Sequence, residues 1–209
     1  CFKMNLIGYL SICVFTLAAF VQGVQKCHGS PKTYNGKPCA STTNYHDGMQ
    51  GACGCGDGQS DKQFDWSKSS WTAAANQHFF DSHNKHWCGE KCGICVNLTT
   101  TGGFPSDGSH TAEGQSHVFM IVDLCPSVAP NLDWCAQTSS HPANKFGYAV
   151  HFDLENGVHQ ITQTLHWDNP EVTYEVVDCA HAHQADHKTP SPSNYHQCEC
   201  AHGGSGRKK

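Results

Sequence analysis

Apolar residues along this chain come in short runs, broken almost everywhere by Gly, Ser, Thr, Asn, Asp and Pro. That punctuation is the pattern of a loop-rich β protein. Four runs rich in β-branched and aromatic residues predict strands: 93–100 (GICVNLTT), 118–124 (VFMIVDL), 149–154 (AVHFDL) and 173–177 (TYEVV). The stretch 160–167 (QITQTLHW) alternates only weakly. One helix is expected over 71–82 (WTAAANQHFFDS), where Ala74, Ala75, His78 and Phe79 share a face and Ser69 or Ser70 supplies a cap. A weaker helical turn is expected over 132–137. There is no internal repeat and no long Pro/Ser/Thr linker, so one domain is expected.

The longest apolar run, 6–21, stands apart. It follows Lys3, leads to Gly23, and falls short of the roughly twenty residues needed to span a bilayer. A basic start, an apolar middle and a small-residue exit read as a secretory signal peptide over 1–23. Met4 reads as the initiator, with residues 1–3 as an upstream artefact. The catalytic domain is then expected over 24–202, with a disordered tail over 203–209.

Removing the signal changes the cysteine arithmetic. Of 14 cysteines, Cys1 and Cys13 leave with it, and the even remainder in an exported chain predicts up to six disulfides. Zinc is the rival reading of Cys53-x-Cys55 and of Cys88, Cys92 and Cys95. An oxidising compartment disfavours the free thiolates that zinc needs. Spacing alone leaves the connectivity open.

The remaining chain is long enough to bury a sizeable core, so its bridges are expected to pin loops rather than replace a core. Net charge is −5, and basic residues are sparse before the RKK end. Nucleic acid and anionic membranes therefore have no electrostatic support as partners. A neutral polymer is compatible with this balance. The 16 histidines include His181, His183 and His187 at a spacing that invites a metal. No HExxH and no surrounding acidic scaffold accompany them, so solvated loop histidines are expected, with no metal and no cofactor. A GxSxG elbow is also lacking. Asn97-Leu98-Thr99 is a glycosylation sequon inside an expected strand.

Cleaving an acetal between sugars takes a proton for the leaving oxygen and a base or nucleophile on the other face, a task for two carboxyls. Asp153, in HFDLE, is flanked by Phe152 and Leu154, a setting that desolvates a carboxyl and raises its pKa toward a general acid's. Asp47, in TTNYHDG, reads from pattern alone as a turn residue in an Asp-Gly step. Asp123, before Leu124-Cys125-Pro126, is either a third polar group of a site or a strand-terminal turn residue. The tryptophans Trp66, Trp71, Trp87, Trp134 and Trp167 offer sugar-stacking rings, and one or two are expected to reach a cleft.

The ordered segments TTNYHD, GACGCG, TAAANQHFFDS, WCGEKCGICVNLTTTGG, FMIVDLCP, PNLDWC, NKFGYAVHFDLE and WDNPEVTYEVVDC resemble glycoside hydrolase family 45, in its animal, mollusc-type branch. The resemblance runs from about Lys26 to His202. It implies a mostly β fold, a six-stranded double-psi β-barrel with long disulfide-braced loops. It implies a secreted, monomeric endo-acting enzyme that hydrolyses β-1,4-glucan (cellulose and cello-oligosaccharides) with inversion. By motif, Asp153 is the general acid and Asp47 the general base, roughly 6.5–9.5 Å apart as an inverting pair requires. Asp123 is the assisting group or the alternative base, and Tyr45, Thr43 and His151 are expected to bind substrate. The segment HPANKFGYAV carries no acidic residue where well-studied fungal members have a further aspartate in a loop. Expansins, non-hydrolytic wall-loosening proteins, also resemble this chain through GACG and HFD. They lack the base aspartate and carry a second domain.

Overall fold

A computed structural model describes residues 24–106 and 111–203. The expected signal peptide, 1–23, and all but the first residue of the expected tail lie outside the described residues. Nine strands follow in chain order: β1 (Thr33–Tyr34), β2 (Lys37–Tyr45), β3 (Gly56–Asp57), β4 (Lys62–Gln63), β5 (Thr72–Asn76), β6 (Cys95–Thr100), β7 (Ser116–Cys125), β8 (Val150–Glu155) and β9 (Glu171–Val177). Strand order in the main sheet is β1-β2-β8-β5-β7-β6-β9, and β2 also pairs with β9. Six strands thus close into a ring without open edges, with β1 added outside it on β2 and β3 paired with β4 in a separate two-stranded sheet. Both β2 with β8 and β5 with β7 run parallel, and the remaining neighbours run antiparallel.

One hydrophobic cluster draws on every strand of the ring, with Ala40, Ala73, Ala75, Leu98, Phe119, Ile121, Phe152 and Val172 all buried. Strand β7 buries Phe119 to Val122 consecutively, as a strand covered on both faces does. The four expected apolar strands are all present, as β6 to β9, each with bounds within two residues of the pattern.

Two expectations are corrected. The helix over 71–82 is mostly strand: Thr72–Asn76 is β5, and only Gln77–Phe80 turns helical. All five β5 residues are buried between β7 and β8. Alanine's helix propensity, a few tenths of a kcal/mol per residue, yields to the packing of a narrow strand inside the ring. The weakly alternating stretch at 160–167 is instead a π-helix over Gln160–Leu165. The helical turn expected over 132–137 is present as Leu132–Cys135.

Six disulfides use all twelve cysteines of the domain: Cys27–Cys39, Cys53–Cys92, Cys55–Cys198, Cys88–Cys200, Cys95–Cys179 and Cys125–Cys135. Two of them bolt the GACGCG segment, at Cys53 and Cys55, to Cys92 and to the C-terminal end. No helix among the described residues is long and apolar enough to cross a membrane.

Candidate active site

Three aspartates meet in one open cleft. Asp47, Asp123 and Asp153 line it together with Tyr45, His46 and Asn131. The ring's topology brings them there: β2 and β8 run parallel with Thr43 opposite Asp153, and Ala74 of β5 pairs with both Asp153 and Asp123.

Asp153 projects from β8 between buried Phe152 and Leu154. Thr43 Oγ1 donates to its Oδ1 at 2.7 Å. That bond stabilises the ionised form, but burial outweighs it and the charges of Glu155 and Asp47 add to the effect. The carboxyl is pushed up from 3.8 to about 6.

Behind Asp153 runs a buried hydrogen-bond chain. Thr43 Oγ1 lies 3.0 Å from His151 Nε2, His151 Nδ1 lies 2.8 Å from Ser41 Oγ, and Asn144 Nδ2 donates to Ser41 at 3.0 Å. Burial pushes His151 down to about 3, so the ring is neutral. With the Thr43 hydroxyl committed to ionised Asp153, His151 donates from Nε2 to Thr43 and accepts at Nδ1 from Ser41. Trp134 packs on the ring at 5.4 Å between centroids. His151 is fully buried. Its expected contact with substrate is therefore corrected: it supports Thr43 from behind. Thr43 is half-buried and touches Asp153, and Tyr45 lines the cleft itself. Burial, together with the surrounding carboxylates, pushes the Tyr45 phenol up, so it remains a protonated donor.

Asp123 accepts at Oδ1 from the backbone N–H of Ala52 at 2.6 Å and of Leu124 at 2.7 Å. Only glycine fits at position 51, because a Cβ there would stand 2.7 Å from the Val122 carbonyl oxygen and 2.8 Å from the Asp123 carboxyl. The bolted GACGCG segment thus presses against Asp123. Burial, with added charge from Asp47 and Glu155, still pushes Asp123 up to about 7. Asp47 is exposed and accepts from Met49 N–H at 2.9 Å, closing its own Asp-Gly turn. It is at once a turn residue and a wall of the cleft.

No tryptophan is among the residues lining this cleft. Trp71 and Trp167 are core, and Trp66, Trp87 and Trp134 are half-buried. The expectation that one or two would reach the cleft is not met around the aspartates. His183 of the C-terminal histidines meets the Thr189 carbonyl oxygen at 2.7 Å. Among the described residues, one set could bring three ligand atoms to a metal, Cys125, Cys135 and His151, and there the two cysteines are joined to each other.

Sequence reasoning passed over Glu155. Its side chain is fully buried two residues after Asp153, bonded to His46 at 2.8 Å and Gln63 at 2.9 Å. The signal was available: on a strand, residues two apart share a face, so an acid at 155 accompanies the one at 153.

The arrangement offers a carboxyl poised to hold a proton, an exposed aspartate lining the same cleft, and a third acid between neutral and ionised. A family described as EXPB1-like domain 1 matches residues 40–185. The chain is 57% identical over 180 residues to an endoglucanase of Mytilus edulis, spanning 85% of this chain and 99% of that protein. It is 38% identical over 146 residues to Endoglucanase-5 of Hypocrea jecorina, spanning 67% of this chain and 56% of that one. The solved structure of β-1,4-D-endoglucanase Cel45A from the blue mussel Mytilus edulis superposes with a TM-score of 0.81 at 56% identity, covering 85% and 99% of the two chains. The GH45 endoglucanase EG27II, solved with cellobiose, gives 0.72 at 43% identity over 86% and 97%. The closed six-stranded ring, its six disulfides and these likenesses along most of the chain converge: this chain belongs to the endoglucanases of glycoside hydrolase family 45, in the mollusc branch.

Proposed function

We propose that this endoglucanase is a secreted, monomeric cellulase of one catalytic domain, 24–202, that cuts internal β-1,4-glucosidic bonds of cellulose and cello-oligosaccharides with inversion. Asp153 is the general acid, Asp47 the general base that activates water, and Asp123 the assisting group. Nucleic acids and membranes are not partners, and no metal or cofactor takes part.

The observation that carries this reading is the contrast within one cleft. Asp153, raised to about 6, keeps a proton in mildly acid solution. Asp47 stands exposed in the same cleft. A base must be ionised when the acid is protonated, which argues against Asp123, itself raised to about 7. Protonated Asp153 gives its proton to the glycosidic oxygen as the bond to the anomeric carbon breaks. Asp47 takes a proton from the water that adds to that carbon from the other face. The cellobiose bound to EG27II supports a glucan in the cleft.

The match to an expansin-like family keeps a non-hydrolytic reading in view. Reducing-sugar release from carboxymethylcellulose separates the two: turnover by clean, folded protein is expected, and its absence sinks the enzyme. NMR of the first products from a β-linked substrate is expected to show the α-anomer. An initial β-anomer overturns inversion.

A further inference from the structure

Glu155 takes no part in the acid–base scheme, yet a carboxyl with no side-chain exposure needs a reason to be there. Its surroundings supply one. Oε1 meets His46 Nδ1 at 2.8 Å, and Oε2 accepts from Gln63 Nε2 at 2.9 Å. Gln63 in turn donates its backbone N–H to the Gly48 carbonyl oxygen at 3.1 Å, and Asn156 N–H donates to the Tyr45 carbonyl oxygen at 2.8 Å. The turn from Tyr45 to Gly48 is therefore gripped at both ends and at His46 between them. Asp47, between those grips, lines the cleft with Tyr45 and His46. A Cβ at Gly157 would lie 2.7 Å from His46 Nδ1, so the imidazole rests directly on backbone and has no room to shift that way.

We propose that Glu155 is a positioning residue for the hydrolytic reaction, its buried carboxylate holding His46 and Gln63 and through them the turn that presents Asp47. The proposal rests on Asp47 and Asp153 as base and acid. Asp47 has no hydrogen bond to another element among the described residues, only the one that closes its own turn. Its place relative to Asp153 is set by the turn, and an ångström of slack there costs catalysis steeply. The titratable groups within electrostatic reach of Glu155 are His46, Asp153, Asp123 and Tyr45. Burial pushes the Glu155 carboxyl up, against the bonds from Gln63 and His46 that favour its ionised form. Once ionised, its charge also opposes ionisation of Asp153, so one residue both aims the base and helps keep the acid protonated.

The test is Glu155→Gln, which keeps the volume but cannot accept at both oxygens. Expected is a fall in kcat of about 10- to 100-fold with little change in KM. The alkaline limb of the pH–rate profile is expected to move to lower pH, because burial still raises Asp153 but the Glu155 charge that adds to it is gone. Unchanged kcat and an unchanged limb in folded protein overturn the proposal, whatever happens to Tm. A second pair guards against a misfolded variant. His46→Asn keeps a donor near Nδ1 and His46→Phe does not, so the first is expected to lose less kcat; equal losses overturn the proposal. Asp47→Asn, run alongside, tests the base itself. If it stays active, the acid–base reading fails, independently of the Glu155 result.

Discussion

Two of the places where the described residues bury carboxyls are built in opposite ways. Glu171, at the start of β9, is fully buried and met by donors on every side. The backbone N–H groups of Lys26 and Cys27 reach it at 2.9 and 3.0 Å, the Thr101 hydroxyl at 2.7 Å, and the Tyr148 hydroxyl closes the shell. Burial and the bond to Glu171 push the Tyr148 phenol up, which keeps it a donor. The cleft is the reverse. Asp153 receives one hydroxyl, and its neighbours are further acids. A carboxylate saturated with donors pins structure, whereas one short of donors among like charges holds its proton and is ready to give it away. The same residue type thus serves as rivet or reagent according to what surrounds it.

The sharpest break in that comparison is Asp153→Asn. The amide keeps the shape and an acceptor for Thr43 but has no proton to give to the leaving oxygen. Initial rates on carboxymethylcellulose are expected to drop by about 10²–10⁴-fold, while Tm holds or rises. A large loss of Tm would mean that Asp153 pins structure as Glu171 does. Glu171→Gln should do the converse. It turns an NH₂ toward donors that need an acceptor, so a loss of about 3 kcal/mol in unfolding free energy is expected from denaturant titration. The kcat of the folded fraction should stay the same.

How far the sequence foretold these two places follows from what each strand buries. Strands β6 to β9 bury apolar, β-branched side chains, and their pattern is plain. Strand β2, KPCASTTNY, was not foreseen because its buried positions carry hydroxyls: Ser41 bonds to His151, and Thr42 donates to the Pro170 carbonyl oxygen at 2.6 Å. Hydropathy does not register a polar group whose partner arrives from far along the chain. Strand β5 was mistaken for helix because small side chains fit both. Asp153 was legible because it sits in an apolar strand run and in the HFDLE motif. The grip of Glu155 on His46 was not, since the contact joins residues 109 positions apart. The role of Asp123 depends equally on Ala52, 71 positions away.

Asp123 is the intermediate case that can sharpen the comparison, because it has two backbone donors yet is still raised to about 7. Its effect on stability has a definite sign. From 3.8 in the unfolded chain up to about 7 in the fold, the native state keeps a proton that the unfolded chain has released. Linkage then makes the fold lose stability as pH climbs through that window, with the full loss reached above 7 and none below about 4. Asp153, raised to about 6, contributes in the same direction over a narrower span. Asp123→Asn removes the titration, and its amide oxygen can still accept from Ala52 and Leu124. The variant should match the parent at pH 4 and exceed it by about 1–2 kcal/mol at pH 8, a figure discounted for partial exposure. Denaturant midpoints at the two pH values measure this directly. If the variant is less stable at pH 8, the backbone donors outweigh burial, and Asp123 belongs with Glu171 as a rivet rather than with Asp153.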